Sequence, residues 1–374
     1  MGRRRRGGPK ALALKRCRFV TVQGVTILHA PNYCVSLGGC EDVVIDGVTI
    51  RGAYADGIDP DCCRRVRITN CDVESDDDAL CLKASFALGH RGTTEDVVVS
   101  NCRLTSPSNC FKLGTESTGD FRQIALTNCV LSGAAPDGHD ARAAAEGGGV
   151  ALLAVDGGSI EGVVVTGVVM RDVAAPLFVR LGDRGRDRAV PGPGRLRNVT
   201  ISGLLATGAS GTAAITGLPG YPVEHLTLSD IRIHADGGAA ARGLDVPECA
   251  AHYPTPAMYG ALPGFGLYIR HARDVRLRDV ALTAEHPDGR PALVADDVTG
   301  LRADGLSGDA PAGATPVAWL HDVRDARVQG DQVRVTGKSS DAVALAEVGP
   351  AAPVSPADGS WPGPTRPSRP RRPN

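Results

Sequence analysis

The sequence predicts an all-β protein, a single-stranded right-handed parallel β-helix (β-solenoid) of about 10–11 coils. Three observations carry that prediction. A ten-residue pattern recurs with a period whose floor is in the low twenties. The segments between its copies show no helical periodicity, and the chain is rich in Gly (47 of 374 residues) and poor in aromatics (4%). Apolar residues alternate in short blocks of Val, Ile and Leu, which suits strands.

The pattern is two polar residues, apolar-x-apolar, a polar residue, Gly/Asn/Asp, then apolar-x-apolar. It reads RFVTVQGVTI from Arg18, EDVVIDGVTI from Glu41, RRVRITNCDV from Arg64 and EDVVVSNCRL from Glu95. It continues from Arg122, Glu161, Arg197 and Glu224, with fainter copies from Arg273, Thr299 and Arg324. The spacings are 23, 23, 31, 27, 39, 36, 27, 49, 26 and 25 residues. About 23 residues is enough for a coil of three short strands, whereas a βαβ unit needs about 30 and a helix. The turn position then stacks Gly24, Gly47, Asn70, Asn101, Asn128, Gly167, Gly203 and Asp230. Those three residue types tolerate left-handed backbone, and the asparagines are placed for an amide ladder.

Around this coil, residues 1–16 read as a basic N-terminal segment, short for a cap, with native sequence upstream as the alternative. Residues 17–350 form the helical domain. Residues 351–374, rich in Pro and Arg, read as a disordered tail. Residues 135–149 read as a flexible loop. The longest insertion begins at Ala241 and gathers Tyr253, Met258, Tyr259 and Phe265, as a groove wall or simply as packing over the coil.

Eleven cysteines are present, and their positions suggest stacking rather than a disulfide framework. Cys71, Cys102 and Cys129 take the place that Val25, Val48, Val168, Leu204 and Ile231 fill elsewhere, as small buried hydrophobes do. A net charge of −1 gives no reason to expect nucleic acid or an acidic membrane surface as partner. No apolar run approaches the roughly 18 residues of a span. The start, MGRRRRGGPKALALKRC, has positive charge but no apolar core, so no signal peptide is read as written. A monomer without cofactor or metal is expected.

Chemistry concentrates in residues 54–116: YADGIDPD, SDDDALCLKAS and SNCFKLGTES. Aligning Asp56-Gly57-Ile58-Asp59 with Asp78-Ala79-Leu80-Cys81 and Asn109-Cys110-Phe111-Lys112 gives offsets of 22 and 31 residues. On stacked coils, Asp56, Asp77 and Asp78 would come from rungs about 4.8 Å apart. Carboxylates so close push one pKa up, as acid–base chemistry on a glycosidic bond requires. An acidic turn in solvent is the ordinary alternative, and calcium held by Asp56, Asp59, Asp61, Asp76, Asp77 and Asp78 is another. Lys83, Lys112 and Arg180 fall at similar offsets in their repeats, as cations for a uronate carboxylate or to depress an aspartate pKa. Glu116 extends the same surface, and Arg184, Arg186, Arg270 and His271 are weaker candidates. No GxxxxGK[ST], HExxH or zinc-type CxxC pair occurs.

On DGIDPD, DDALCLK and NCFKLGTES over this repeat, the chain resembles glycoside hydrolase family 28, the polygalacturonase family. The resemblance runs roughly from Cys17 to Val298. It implies an inverting hydrolase acting outside the cell on galacturonan or rhamnogalacturonan polysaccharides or oligosaccharides. Its catalytic residues are Asp56, Asp77 and Asp78, with Asp78 as general acid and the other two activating water. Asp59, Lys83, Asn109, Lys112, Glu116 and Arg180 are the expected substrate contacts. The family's Asn-Thr is Tyr54-Ala55 here, its Gly-His-Gly falls on Ser108-Asn109-Cys110, and its Arg-x-Lys has no counterpart in 150–154. A calcium-dependent lyase or epimerase, and a non-catalytic carbohydrate-binding β-helix, are the alternative functions on the same fold.

Overall fold

A computed structural model describes residues 7–133, 147–188, 192–309, 316–329, 332–337 and 343–346. Residues 1–6, the tail at 351–374 and most of the loop at 135–149 lie outside that set. The described residues form 26 strands in one continuous parallel array and a single short 3-10 turn, Pro256–Tyr259. This is a parallel β-helix, as the repeat predicts.

Each pattern start is the rung neighbour of the next. Arg18 pairs with Glu41, Glu41 with Arg64, Arg64 with Glu95, Glu95 with Arg122, and Arg122 with Glu161. The register runs on through Arg197, Glu224, Arg273 and Thr299 to Arg324. The uneven spacings are absorbed between strands and leave the pairing undisturbed. Gly24, Gly47, Asn70, Asn101, Asn128, Gly167, Gly203 and Asp230 all have positive φ, between 52° and 63°. Asn128 Nδ2 donates to Asn101 Oδ1 at 2.7 Å, and Asn70 Nδ2 to Asp46 Oδ1 at 2.8 Å; the ladder lies on the solvent side. A second left-handed position, at Phe19, Asp42, Arg65, Asp96 and Gln123, marks the pattern's second residue and explains why it is polar in most copies.

The first described strand, Leu12–Lys15, already pairs with Val35–Gly38. The coil therefore starts inside the segment assigned to residues 1–16, whose LALK alternates too briefly to show the full pattern. All eleven cysteines are free and nine are buried, Cys71, Cys102 and Cys129 among the core aliphatics. No helix among the described residues is long and apolar enough to cross a membrane.

One of the coil's inward ladders is Val35, Ile58, Leu80, Phe111, Val150, Leu177, Ala213 and Leu267, all buried. Successive strand residues point to opposite faces. The outward positions one residue on are therefore Ser36, Asp59, Cys81, Lys112, Ala151, Phe178, Ala214 and Tyr268. They change from polar to apolar along the axis. The apolar part forms a second cluster beneath the 241–265 insertion, which contributes Val246, Tyr259 and Leu262.

Candidate active site

The polar half of that outward ladder is the candidate site. Ile58–Asp61, Leu80–Ala84 and Phe111–Ser117 are stacked strands, and the turns entering them carry Asp56, Asp77–Asp78 and Ser108–Asn109. The ladder extends into those turns, since Gly57 N–H donates to Asp78 O (3.0 Å) and Ala79 N–H to Asn109 O (2.9 Å). Asp56, Asp78 and Asn109 are thus rung neighbours at the offsets read from sequence. Gly57 permits this approach: a Cβ there would stand 2.5 Å from Ala79 O.

Two lysines bind the acids together. Lys83 Nζ lies 2.7 Å from Asp56 Oδ2 and 2.9 Å from Asp59 Oδ1, over the ring of Tyr33. Lys83 thus bridges two carboxyl groups of one coil. Lys112 Nζ lies 2.8 Å from Asp78 Oδ2, while Asp78 Oδ1 accepts from Asn109 Nδ2 (2.7 Å) and Ser108 Oγ (3.1 Å). Asp56 and Asp78 are each 3% exposed.

The two acids are driven in opposite directions. Burial pushes Asp56 up to about 8; Lys83 opposes it, and the charges of Asp78, Asp59 and Asp77 reinforce it. Asp59 is raised as well, first by burial. Burial also works on Asp78, yet Lys112 and Asn109 outweigh it and hold this carboxyl below its ordinary range. Both lysines are held well above theirs, the carboxylates overcoming desolvation. Asp77 sits half-buried at the rim, its backbone oxygen fixed by Ser75 Oγ (2.7 Å) and Ser106 Oγ (2.5 Å).

The calcium alternative does not fit these residues. Asp56, Asp78 and Cys81 place one potential ligand atom each within 4.8 Å of one another. However, ammonium groups already occupy the cation positions on both carboxylates, and Cys81 is a soft ligand with its thiol pushed well up by burial. Asp61 is taken by Ser85, through its N–H (2.8 Å) and its hydroxyl.

A groove of about 660 Å³ opens beside the cluster, lined by Lys10, Tyr33, Asp59, Asp61, Lys83, Phe86, Glu116 and Arg186. Glu116 is there, paired with Arg186 at 2.8 Å. On the other flank the exposed Tyr253 ring stands 6.0 Å from Lys112 Nζ and 5.6 Å from Arg184, which clamps the fully buried Asp156. Of the insertion's aromatics Tyr253 stands against Lys112 and Arg184, Tyr259 stands 5.7 Å from Arg180 and covers the coil with Met258, and Phe265 joins the core.

The structure does not bring Arg180 to the acids. It shares Lys83's outward column but lies three rungs on, 2% exposed, donating to Gly217 O (2.8 Å) and Glu248 O (2.7 Å) beneath the insertion. His271 is likewise outside, between Asp297 and Glu248. Sequence reasoning missed Tyr33 and Ser108. Tyr33 was within reach, because the register that aligns Val35 with Ile58 also aligns Tyr33 with Asp56.

Residues 2–94 match the model of glycosyl hydrolases family 28, a stretch that contains Asp56, Asp59, Asp77, Asp78 and Lys83. A probable polygalacturonase of Vitis vinifera is 23% identical over 280 residues, 69% of this chain and 53% of that protein. A hyperthermoactive exopolygalacturonase from Thermotoga maritima superposes with a TM-score of 0.50 at 23% identity, over 70% of this chain and 52% of that one. The chain spans about half the length of these relatives. The chain thus matches that family's model over its first coils and shares the parallel β-helix fold of the exopolygalacturonase.

Proposed function

We propose that the chain hydrolyses O-glycosidic bonds in pectin-type polysaccharides or oligosaccharides with inversion. The carrying observation is the pair of buried acids on adjacent rungs, Asp56 raised to about 8 and Asp78 held ionised by Lys112. An inverting hydrolase sets its proton donor and its base about 6.5–9.5 Å apart, with water and the sugar between them. Asp56 and Asp78 offer oxygens within 4.8 Å of each other, so they belong together on the water side. A carboxyl locked ionised is also a poor donor, which speaks against Asp78 as the general acid. We therefore assign the donor to Asp77, the remaining carboxyl of the three.

In this reading Asp78 takes a proton from the attacking water while Asp56, neutral below about pH 8, orients that water. Asp77 protonates the leaving oxygen, and solvent returns the proton from Asp78 to Asp77. The groove at Tyr33 and Phe86 accommodates the flanking sugars.

Asp77→Asn and Asp78→Asn should each lower reducing-sugar release from pectic oligosaccharides by about 10²–10⁴-fold. Asp77→Asn should leave thermal unfolding unchanged, and NMR should show the inverted anomer released first. Near-normal activity in Asp77→Asn removes the donor assignment. An ultraviolet-absorbing unsaturated product, or loss of activity with chelator, would establish a lyase instead.

A further inference from the structure

The hydrolase reading leaves open which sugar sits over the acids, and the charge inventory there bears on it. Five carboxyls, Asp56, Asp59, Asp61, Asp77 and Asp78, share this surface with two ammonium groups. Both ammoniums are spent, Lys83 between Asp56 and Asp59 and Lys112 on Asp78. Arg184 is committed to Asp156 and Arg186 to Glu116. Lys10 is tied to Ser36 Oγ (2.8 Å) and stacked over Tyr33, a rung short of Asp59, and the exposed Lys15 lines the same groove two rungs short of Asp61.

On the other side, the outward position following Lys112 is Ala151, and two residues on is Leu153, Arg180's rung partner. Both are buried in the apolar cluster with Phe178, so no cation among the described residues follows Lys112 along this ladder. The Tyr253 ring, 56% exposed beside Lys112, presents a flat face suited to the C–H surface of a sugar.

Resting on the hydrolase reading, we infer that the glycosyl unit seated over Asp56 and Asp78 is uncharged, a neutral sugar or a uronate masked as its ester. A free uronate there adds a negative charge to a partly desolvated surface where carboxyl groups outnumber ammonium groups, with no uncommitted cation among the described residues on the strands that Asp56 and Asp78 lead into. Discrimination would come from repulsion of the wrong unit as much as from attraction of the right one.

The test is calorimetric titration of the full chain with an oligogalacturonate and with the same oligomer fully methyl-esterified, which differ in charge and keep one stereochemistry. The ester should bind about tenfold tighter or more at low ionic strength, and the gap should close as added salt screens the repulsion. Asp59→Asn, which removes one of the carboxylates, should raise free-acid affinity several-fold relative to the ester. Free acid binding as tightly as the ester, or losing affinity with salt, overturns the inference and leaves hydrolysis standing. Binding of neither oligomer overturns the pectin reading itself and this inference with it.

Discussion

The two ends of one sheet face differ more than the coil beneath them does. Inward, the ladder from Val35 to Leu267 is uniformly apolar and buried. Outward, it reads Ser36, Asp59, Cys81, Lys112 over the first rungs, then Ala151, Phe178, Ala214, Tyr268. Over the later rungs the 241–265 insertion lies across the face, and apolar residues there are buried as a second core. Over the first rungs charged groups bury one another, beside an open groove. The coil fixes which residues are neighbours and is indifferent to what they are. Whether a neighbourhood becomes chemistry or packing is decided by what covers it.

If that contrast is right, comparable truncations on the two halves should differ in their response to pH. Lys112→Met strands Asp78 as a buried carboxyl with only Asn109 and Ser108 to meet it. Removing one partner of such a pair costs about 3–5 kcal/mol. Phe178→Ala, in the covered half, empties an apolar site and also costs about 3–5 kcal/mol. Urea unfolding separates them: the Lys112→Met loss should grow as pH rises above the ordinary aspartate range, because ionising Asp78 then has no compensation. The Phe178→Ala loss should be flat. A pH-independent Lys112→Met loss would break the comparison.

A smaller effect tests the acids without removing a cation. Asp56 has a folded pKa raised to about 8, so the stability it contributes is full below its unfolded pKa, about 3.9. That stability is lost as pH rises through about 8. Asp78 is shifted the other way: its contribution is present above the unfolded pKa and lost as pH falls through its lowered folded value. Asp56→Asn should therefore flatten the slope between about pH 4 and 8, at most about 1.4 kcal/mol per unit for one proton, and leave the acid limb. A slope unchanged in Asp56→Asn would place that proton elsewhere, with Asp59 next in line.

The coil was legible because its information is periodic. Arg18, Glu41, Arg64 and Glu95 pair in order, and the left-handed turn needs Gly, Asn or Asp whatever surrounds it. The meeting of Asp56, Asp78 and Asn109 was legible for the same reason. Depth was not. Lys83 and Lys112 read either as cations for a substrate or as groups that depress an aspartate pKa, and they serve as counterions because the acids facing them are equally buried. Asp77 and Asp78 are adjacent and look interchangeable in sequence. The turn into Leu80 buries one and leaves the other at the rim. Arg180 matched Lys83 by offset, but a segment more than sixty residues later folds over it through Glu248 O. Offsets along the coil carry no trace of such a cover.

The finest test lies within the covered half, where two buried tyrosines, one from the insertion and one from the coil's outward face, differ in their hydrogen bonding. Tyr259 and Tyr268 are both buried, and burial raises both phenols. Tyr259 Oη shares a 2.6 Å hydrogen bond with Thr216 Oγ1; Tyr268 Oη has no partner among the described residues. A hydroxyl buried without a partner costs about 1–3 kcal/mol, and a made bond contributes about 1 kcal/mol. Tyr259→Phe should thus lose about 1 kcal/mol in urea unfolding, leaving Thr216 unmet, whereas Tyr268→Phe should be neutral or gain stability. A Tyr268→Phe loss as large as that of Tyr259→Phe would mean that water reaches the hydroxyl beneath the insertion. The cover would then be wetter than a packed core, and the difference between the two halves one of degree.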